Sequence, residues 1–365
     1  MKLVIQNSAR VWGGNEKWML TVAAGLLARG HDVVVSCRAG GEVARRLEGQ
    51  GIRVSPVRPG VLLDLVHGPA FARWLRGERP DAVLLTSWKS TFWGARAGRR
   101  AAARVVVRLG IVRAPARAAV RLAFRRWVDA VIVNSVEIRQ LWESHVAWFP
   151  AERIHVVLNG VPQASAHRAA AAARLRGEIA AAEDTFIVCG AGHVSRRKGF
   201  DILLDAFARA ALPDALLVIV GSGPILGELQ RQAEAAGIGG RVCWLGQRGD
   251  VGEVLAGCDL FVLSSRNEGM ANVMLEALAA GTPVVAADVS GVRTALGPDD
   301  ASSPGWIVPP EDPAAMASAI RNAAGRLRGD PGAAAGLAAL ARRRVEERFG
   351  VERMVAEVEA VLFAG

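Results

Sequence analysis

The chain has 365 residues, 51% apolar and 22% charged, a composition that excludes disorder and is long enough for two ordinary cores. No apolar run approaches the ~18 residues of a membrane span, and Met1-Lys2 leads straight into Leu3-Val4-Ile5 without a leader pattern. The expected location is therefore cytoplasmic, at most peripheral on the inner face of a membrane. The net charge of +10 is uneven: residues 1–170 hold 26 Lys and Arg against 11 Asp and Glu, and the remainder 19 against 24, so the first half is expected to meet something anionic.

From the N-terminus, short aliphatic runs at Leu3–Ile5, Val33–Val35, Ala82–Leu85, Val105–Val107 and Ala130–Val133 read as buried strands. Helix-length stretches at Glu16–Arg29, Pro69–Arg76 and Ala116–Trp127 separate them. That alternation predicts a parallel sheet covered on both faces. Asn159-Gly160-Val161-Pro162 is a turn-rich exit, followed by an Ala-rich stretch. The pattern then repeats. Strands are expected at Phe186–Cys189, Leu216–Val220, Val242–Leu245, Leu260–Leu263 and Pro283–Ala287. Helices are expected at Phe200–Ala210, Ile225–Ala236, Val251–Ala256, Asn272–Ala280 and Pro313–Arg326, and Gly332–Leu362 is helical by periodicity. The expected fold class is α/β, two Rossmann-like doubly wound parallel-sheet domains facing a cleft. Residues 1–165 form the first domain, 166–345 the second, and 346–365 a terminal helix returning towards the first.

Several chemistries are set aside. Cys37, Cys189, Cys243 and Cys258 are scattered in or beside apolar runs, as core thiols are, with no zinc spacing. No Asp-x-Asp pair stands at a strand end, so no metal and no separate cofactor are expected. The ten arginines between Arg96 and Arg126 lack interleaved aromatics, which argues against a nucleic acid partner.

Ligands of parallel sheets bind at the carboxyl ends of the strands, so the loops there carry the candidates. Gly13 and Gly14 precede the first helix, where paired glycines and free helix N–H groups suit an anion; a tight turn would look the same. In His193-Val194-Ser195-Arg196-Arg197-Lys198-Gly199, Arg196, Arg197 and Lys198 lie between a strand and a helix and suit a diphosphate, although a solvated basic turn is the plainer reading. Gly221-Ser222-Gly223-Pro224 follows a strand and permits close backbone approach, but lacks the spacing of a dinucleotide fingerprint. The richest segment is Glu268-Gly269-Met270-Ala271-Asn272-Val273-Met274-Leu275-Glu276. Glu268 sits in a loop, Asn272 opens a helix, and Glu276 is one turn on among apolar residues. Such carboxylates need donors when buried, and sugar hydroxyls are natural ones. In the first half Trp88 and Trp93 flank Lys89 after a strand, as candidates for an acceptor.

These segments, in this order, resemble glycosyltransferase family 4, a GT-B family of retaining enzymes. Glu268 and Glu276, with seven residues between, match its paired-glutamate hallmark, and the likeness covers nearly the whole chain. The resemblance implies transfer of a sugar from a nucleoside-diphosphate-sugar to an acceptor hydroxyl, in lipopolysaccharide, polysaccharide or glycolipid synthesis. Lys198 would bind the donor diphosphate, Glu268 the sugar hydroxyls, Glu276 the ribose, and Gly14 would border the diphosphate. The segment from Gln247 would line the base. Two positions depart from the family. His193 stands where many relatives have arginine, with Arg196 or Arg197 as compensation, and Arg108 is the nearest polar candidate where many have a first-domain histidine. The acceptor is expected to be anionic or lipid-linked, met by Trp88 and Lys89. A sugar-nucleotide epimerase of related fold and a non-catalytic binding subunit are the alternative readings.

Overall fold

The computed structural model describes residues 1–10, 12–60, 66–110, 115, 118–163, 168–297 and 303–364. Every aliphatic run named above becomes a strand, because alternate side chains of a parallel strand are buried on both faces. The described chain divides into two units, residues 1–160 with 351–365, and residues 161–350. The expected 165/166 boundary lies outside the described residues, and the expected 345/346 boundary falls inside a helix.

Unit 1 runs β1 (Lys2–Gln6), α1 (Gly14–Ala28), β2 (Asp32–Ser36), α2 (Glu42–Glu48), β3 (Arg53–Ser55), α3 (His67–Glu78), β4 (Ala82–Leu85), α4 (Thr91–Arg100), β5 (Arg104–Leu109), α5 (Ala118–Trp127), β6 (Ala130–Val133), α6 (Val136–His145) and β7 (Ile154–Val156). Its seven strands are ordered β3-β2-β1-β4-β5-β6-β7, all parallel. Phe71, Leu75, Phe124 and Trp142 cover one face of this sheet. Trp18, Met19 and Leu26 of α1 cover the other with Leu47 of α2. Full burial of each such side chain contributes about 1.5–3 kcal/mol. Arg113 and Arg117 of the basic run lie outside the described residues.

Unit 2 runs α7 (Arg168–Glu178), β8 (Phe186–Ala191), α8 (Phe200–Ala210), β9 (Ala215–Val220), α9 (Leu226–Ala235), β10 (Val242–Gly246), α10 (Val251–Gly257), β11 (Leu260–Leu263), α11 (Asn272–Ala279), β12 (Val284–Ala287), α12 (Val292–Leu296), β13 (Gly305–Val308), α13 (Pro313–Gly329) and α14 (Pro331–Arg348). Its six parallel strands are ordered β10-β9-β8-β11-β12-β13. Leu203, Phe207 and Ile320 anchor α8 and α13 on one face.

The helical segment expected over Gly332–Leu362 forms two helices. After α14 the chain passes Phe349 and Gly350, where Phe349 O accepts from Val161 N at 2.9 Å, and α15 (Val351–Leu362) belongs to unit 1. Met354, Val355, Val358 and Leu362 of α15 complete the core beneath α1. His31 Nε2 and Arg29 Nε meet Glu359 at 2.7 and 2.6 Å. The interruption is two residues long, and the apolar face of α15 is buried in the core of unit 1.

Candidate active site

Each sheet has one switch point, where adjacent strands send their following loops to opposite sides; ligands of open α/β sheets bind outside the strand ends there. In unit 2 the switch lies between β8 and β11, which pair through Val188 and Cys189. The loop after β8 carries Lys198 and the loop after β11 carries Glu268. Their charged ends meet across the switch: Lys198 Nζ lies 2.5 Å from Glu268 Oε1, Arg197 Nη1 donates to Oε2 at 2.9 Å, and Ser265 Oγ donates to Oε1 at 2.9 Å. Glu268 is only 6% exposed. Burial pushes its carboxyl up, but the Lys198 and Arg197 cations and the hydrogen bonds from Lys198 and Ser265 outweigh it and hold it below the usual carboxylate range. The donors that meet buried Glu268 are these two cations and Ser265.

The three-cation turn does not act as one group. Lys198 and Arg197 converge on Glu268, whereas Arg196 turns away to Glu228 of α9, 2.8 Å distant and exposed. Of the two arginines, Arg197 is the one beside Glu268, and His193 is exposed. The paired glycines also change meaning. A side chain at Gly221, where φ is +141°, would overlap Gly192 O, and one at Gly223 would overlap Val194 O. Val194 N donates to Ser222 O at 2.9 Å and Gly192 N to Val220 O at 2.9 Å. The close approach that these glycines permit is therefore by the neighbouring loop, which locks the β8 and β9 loops into one ledge. Gln247 extends the ledge, its Oε1 accepting from Ser222 Oγ at 3.4 Å.

Beyond Glu268, Gly269, Met270 and Ala271 are buried and lead into α11 at Asn272. This loop rests on Gly291, where a side chain would overlap Gly269 O. The sequence reading passed over Gly291; its signal is a Ser-Gly turn just after β12. Glu276 lies on α11 one turn from its start and is half-buried. Partial positive charge at the α11 N-terminus favours an anion near Gly269–Asn272.

In unit 1 the switch lies between β1 and β4. Gly13 caps α1 in extended backbone and Gly14 is its first residue. Beneath them lies a polar network that sequence reading saw only in part. Asn7 Nδ2 and Asn15 Nδ2 each donate to buried Glu16 at 3.0 Å, and Asn7 Nδ2 also reaches Thr86 Oγ1 at 3.1 Å. Arg108 Nη1 donates to Asn15 Oδ1 at 2.5 Å and Nη2 to Asn159 Oδ1 at 3.3 Å, while the guanidinium lies 4.1 Å above the Trp18 ring. Arg108 is 6% exposed, and burial draws it down to about 10 against the opposing pull of Glu16. Arg108 is expected among catalytic groups; in the structure its guanidinium holds Asn15 beneath the glycine turn. Lys89 is exposed after β4, whereas Trp88 packs inward on Phe124 and Trp142 at centroid distances of 5.7 and 6.3 Å.

Comparison with known proteins agrees with this geometry. Residues 172–324 match the family described as glycosyl transferases group 1, and residues 12–164 match glycosyltransferase family 4. The lipopolysaccharide core biosynthesis glycosyltransferase LpsE of Rhizobium meliloti is 30% identical over 285 residues, 76% of this chain and 77% of that protein. The chain belongs to glycosyltransferase family 4. The family 4 enzyme shares 36% identity over 224 residues with a D-inositol 3-phosphate glycosyltransferase of Salinispora tropica, covering 56% of this chain and 45% of that protein. HepE of Anabaena, solved with UDP-glucose, superposes with a TM-score of 0.85 at 25% identity over 99% of both chains. The two parallel-sheet units of this family 4 glycosyltransferase are those of the GT-B fold.

Proposed function

We propose that the protein is a retaining glycosyltransferase that moves a sugar from a nucleoside-diphosphate-sugar to the hydroxyl of an anionic or lipid-linked glycan. The observation that carries the reading is the Lys198–Arg197–Glu268 cluster at the switch point of unit 2 in a family 4 chain. Lys198 and Arg197 neutralise the diphosphate, and the α11 N-terminus adds a fixed dipole where charge develops on the leaving group. Glu268 accepts from the donor-sugar hydroxyls and Glu276 from the ribose. Gly269, Met270 and Ala271 line the sugar and phosphate, while Gly221, Gly223 and Gln247 shape the side of the base. Arg108 contributes by fixing Asn15, and with it the Gly13–Gly14 turn. In a retaining reaction the leaving phosphate can take the acceptor proton, so no first-unit histidine is needed. HepE was solved with UDP-glucose, which makes uridine the first base to test.

The acceptor reading rests on unit 1. Residues 67–127 hold 14 Lys and Arg against two acidic residues, Glu78 and Asp81. Glu78 is paired to Lys2 at 2.7 Å, and Asp81 accepts from the Lys2 backbone. Arg73 and Arg76 of α3, Arg99 and Arg100 of α4, and Arg125 and Arg126 of α5 are exposed, and α4 packs between the other two helices. With Lys89 they give a cationic face for an anionic glycolipid at a membrane surface, where each cation adds about 1 kcal/mol. LpsE acts in lipopolysaccharide core synthesis, and an acceptor of that class suits this charge. Among the described residues no helix is long and apolar enough to cross a membrane.

A thermal-shift screen of UDP-, GDP- and ADP-sugars tests the donor, since a specific ligand stabilises by mass action. Donor consumption that requires an acceptor separates transfer from epimerisation; no stabilisation by any of the three overturns the proposal. Vesicle co-sedimentation tests the membrane part: binding to anionic but not neutral vesicles, lost in salt, is expected. Equal binding to both, or to neither, leaves a soluble acceptor.

A further inference from the structure

Lys198 is held from behind in an unusual way. It ends a single 3₁₀ turn, Arg196–Lys198, and all three carbonyls of that turn accept from one short segment after β11. Arg196 O accepts from Arg266 Nη1 at 2.8 Å, Arg197 O from the Arg266 backbone N–H at 2.9 Å, and Lys198 O from Ser264 Oγ at 3.1 Å. A side chain at Gly199, where φ is +63°, would overlap Ser264 O, so the turn and the segment are pressed together. The Arg266 guanidinium is anchored in turn by a two-pronged pair with Asp201 in the first turn of α8, Nη1 to Oδ1 at 2.8 Å and Nη2 to Oδ2 at 2.7 Å. Its Nε donates to Glu311 at 2.8 Å. The same segment continues through Asn267, whose carbonyl accepts from Arg197 at 2.9 Å, to Glu268.

We infer that Arg266, braced by Asp201, is a positioning residue that sets Lys198 and Arg197 against the donor diphosphate. The Arg266 guanidinium donates to Asp201, Glu311 and Arg196 O. It ties the cation-bearing turn after β8 to the carboxylate-bearing loop after β11, so that both sides of the switch point move as one piece. The planar guanidinium is needed because it holds both oxygens of Asp201 and Arg196 O at once; a lysine carries one point charge and cannot reproduce the two-pronged pair. The brace is partly buried, and the Arg266 hydrogen bond is the main reason the Asp201 carboxyl lies below its ordinary range. The inference rests on the assignment of Lys198 to the diphosphate.

The test is titration calorimetry with whichever of UDP, GDP and ADP binds the wild-type chain best, and with its own monophosphate. Arg266→Gln and Asp201→Asn are each expected to weaken the diphosphate about tenfold, the double variant no more than the worse single one, and the monophosphate less than about threefold. Glu311→Gln removes an exposed partner of the same guanidinium and is expected to leave both affinities unchanged. Arg266→Lys should recover little of the loss. Asp201→Asn keeps the shape of the first turn of α8 and serves if Arg266→Gln does not fold. Equal weakening of diphosphate and monophosphate, or additive effects in the double variant, would reduce the brace to general stability and overturn the inference. A diphosphate affinity within about twofold of wild type in both single variants, while Lys198→Ala loses it, overturns it directly. If Lys198→Ala itself binds normally, the diphosphate assignment is what fails, and the brace falls with it.

Discussion

The two units use one architecture for opposite electrostatic ends. Both place a polar cluster at the switch point of a parallel sheet. In unit 1 the charges of Glu16 and Arg108 are buried and separated by the neutral amide of Asn15, with Asn7 and Asn159 taking the outer positions. In unit 2 the charges of Lys198 and Glu268 meet directly, with Arg197 43% exposed beside them. The amide-bridged network ties its members to one another beneath the glycine turn, although Arg108 Nε has no hydrogen-bond partner. A cation-rich cluster around one carboxylate leaves surplus positive charge for a ligand. The scaffold decides where chemistry can happen; the residue types decide whether a switch point supports or binds.

The largest test of this contrast is Glu268→Gln. Loss of a charge-assisted hydrogen bond to the sugar is expected to lower kcat/KM about 10- to 100-fold. The same change removes the anion that competes for Lys198 and Arg197, so the rise in Tm on adding nucleoside diphosphate should be larger than in wild type. Near-wild-type turnover, or an unchanged ligand response, would mean that Glu268 serves only the fold. Arg108→Met probes the other side. Stripping a charged donor from Asn15 and Asn159 should cost about 1.5–3 kcal/mol of stability in urea unfolding. Nucleoside diphosphate affinity should remain; its loss would make Arg108 a ligand-binding group after all. Lys198→Ala should do the reverse, weakening the diphosphate about tenfold with a modest effect on the apo fold, because Arg197 and Ser265 still satisfy Glu268.

Acid titration gives a smaller effect. The Glu268 carboxyl is depressed in the folded chain, so its pairing stabilises fully above the ordinary carboxylate range and is lost as pH falls through the folded value. The acid limb of the stability curve should therefore be shallower in Glu268→Gln than in wild type, and an identical limb would contradict the pairing. The smallest expected effect is that of EDTA. With phosphate charge balanced by Lys198 and Arg197, chelation should leave turnover unchanged; loss restored by magnesium would show that the diphosphate is held otherwise.

Legibility followed burial. Central strands were visible because both faces are buried and their residues are aliphatic throughout. The strands that escaped, Arg53–Ser55, Ile154–Val156 and Gly305–Val308, are all sheet edges. Edge strands are half-solvated, so their residues need not be aliphatic throughout; the fourth edge, Val242–Gly246, was legible from its Val-Cys-Trp-Leu run. The expected boundary at 345/346 falls a few residues before the break at Phe349, because both flanking segments are helical in periodicity and the pairing with Val161 marks where one ends.

The sequence by itself determined the parallel α/β class, the loops that carry chemistry and the paired glutamates of family 4, because periodicity and motif spacing are local properties. Tertiary structure alone decided which cation meets which acid. Lys198 and Glu268 are 70 positions apart, and only the order β9-β8-β11-β12 brings their loops to one point. It also decided that Arg196 points outward while Arg197 points in, that Gly221 and Gly223 admit a neighbouring loop, and that Arg108 is buried. Each depends on what a distant segment places alongside, and crossover connections between parallel strands make those neighbours remote in sequence.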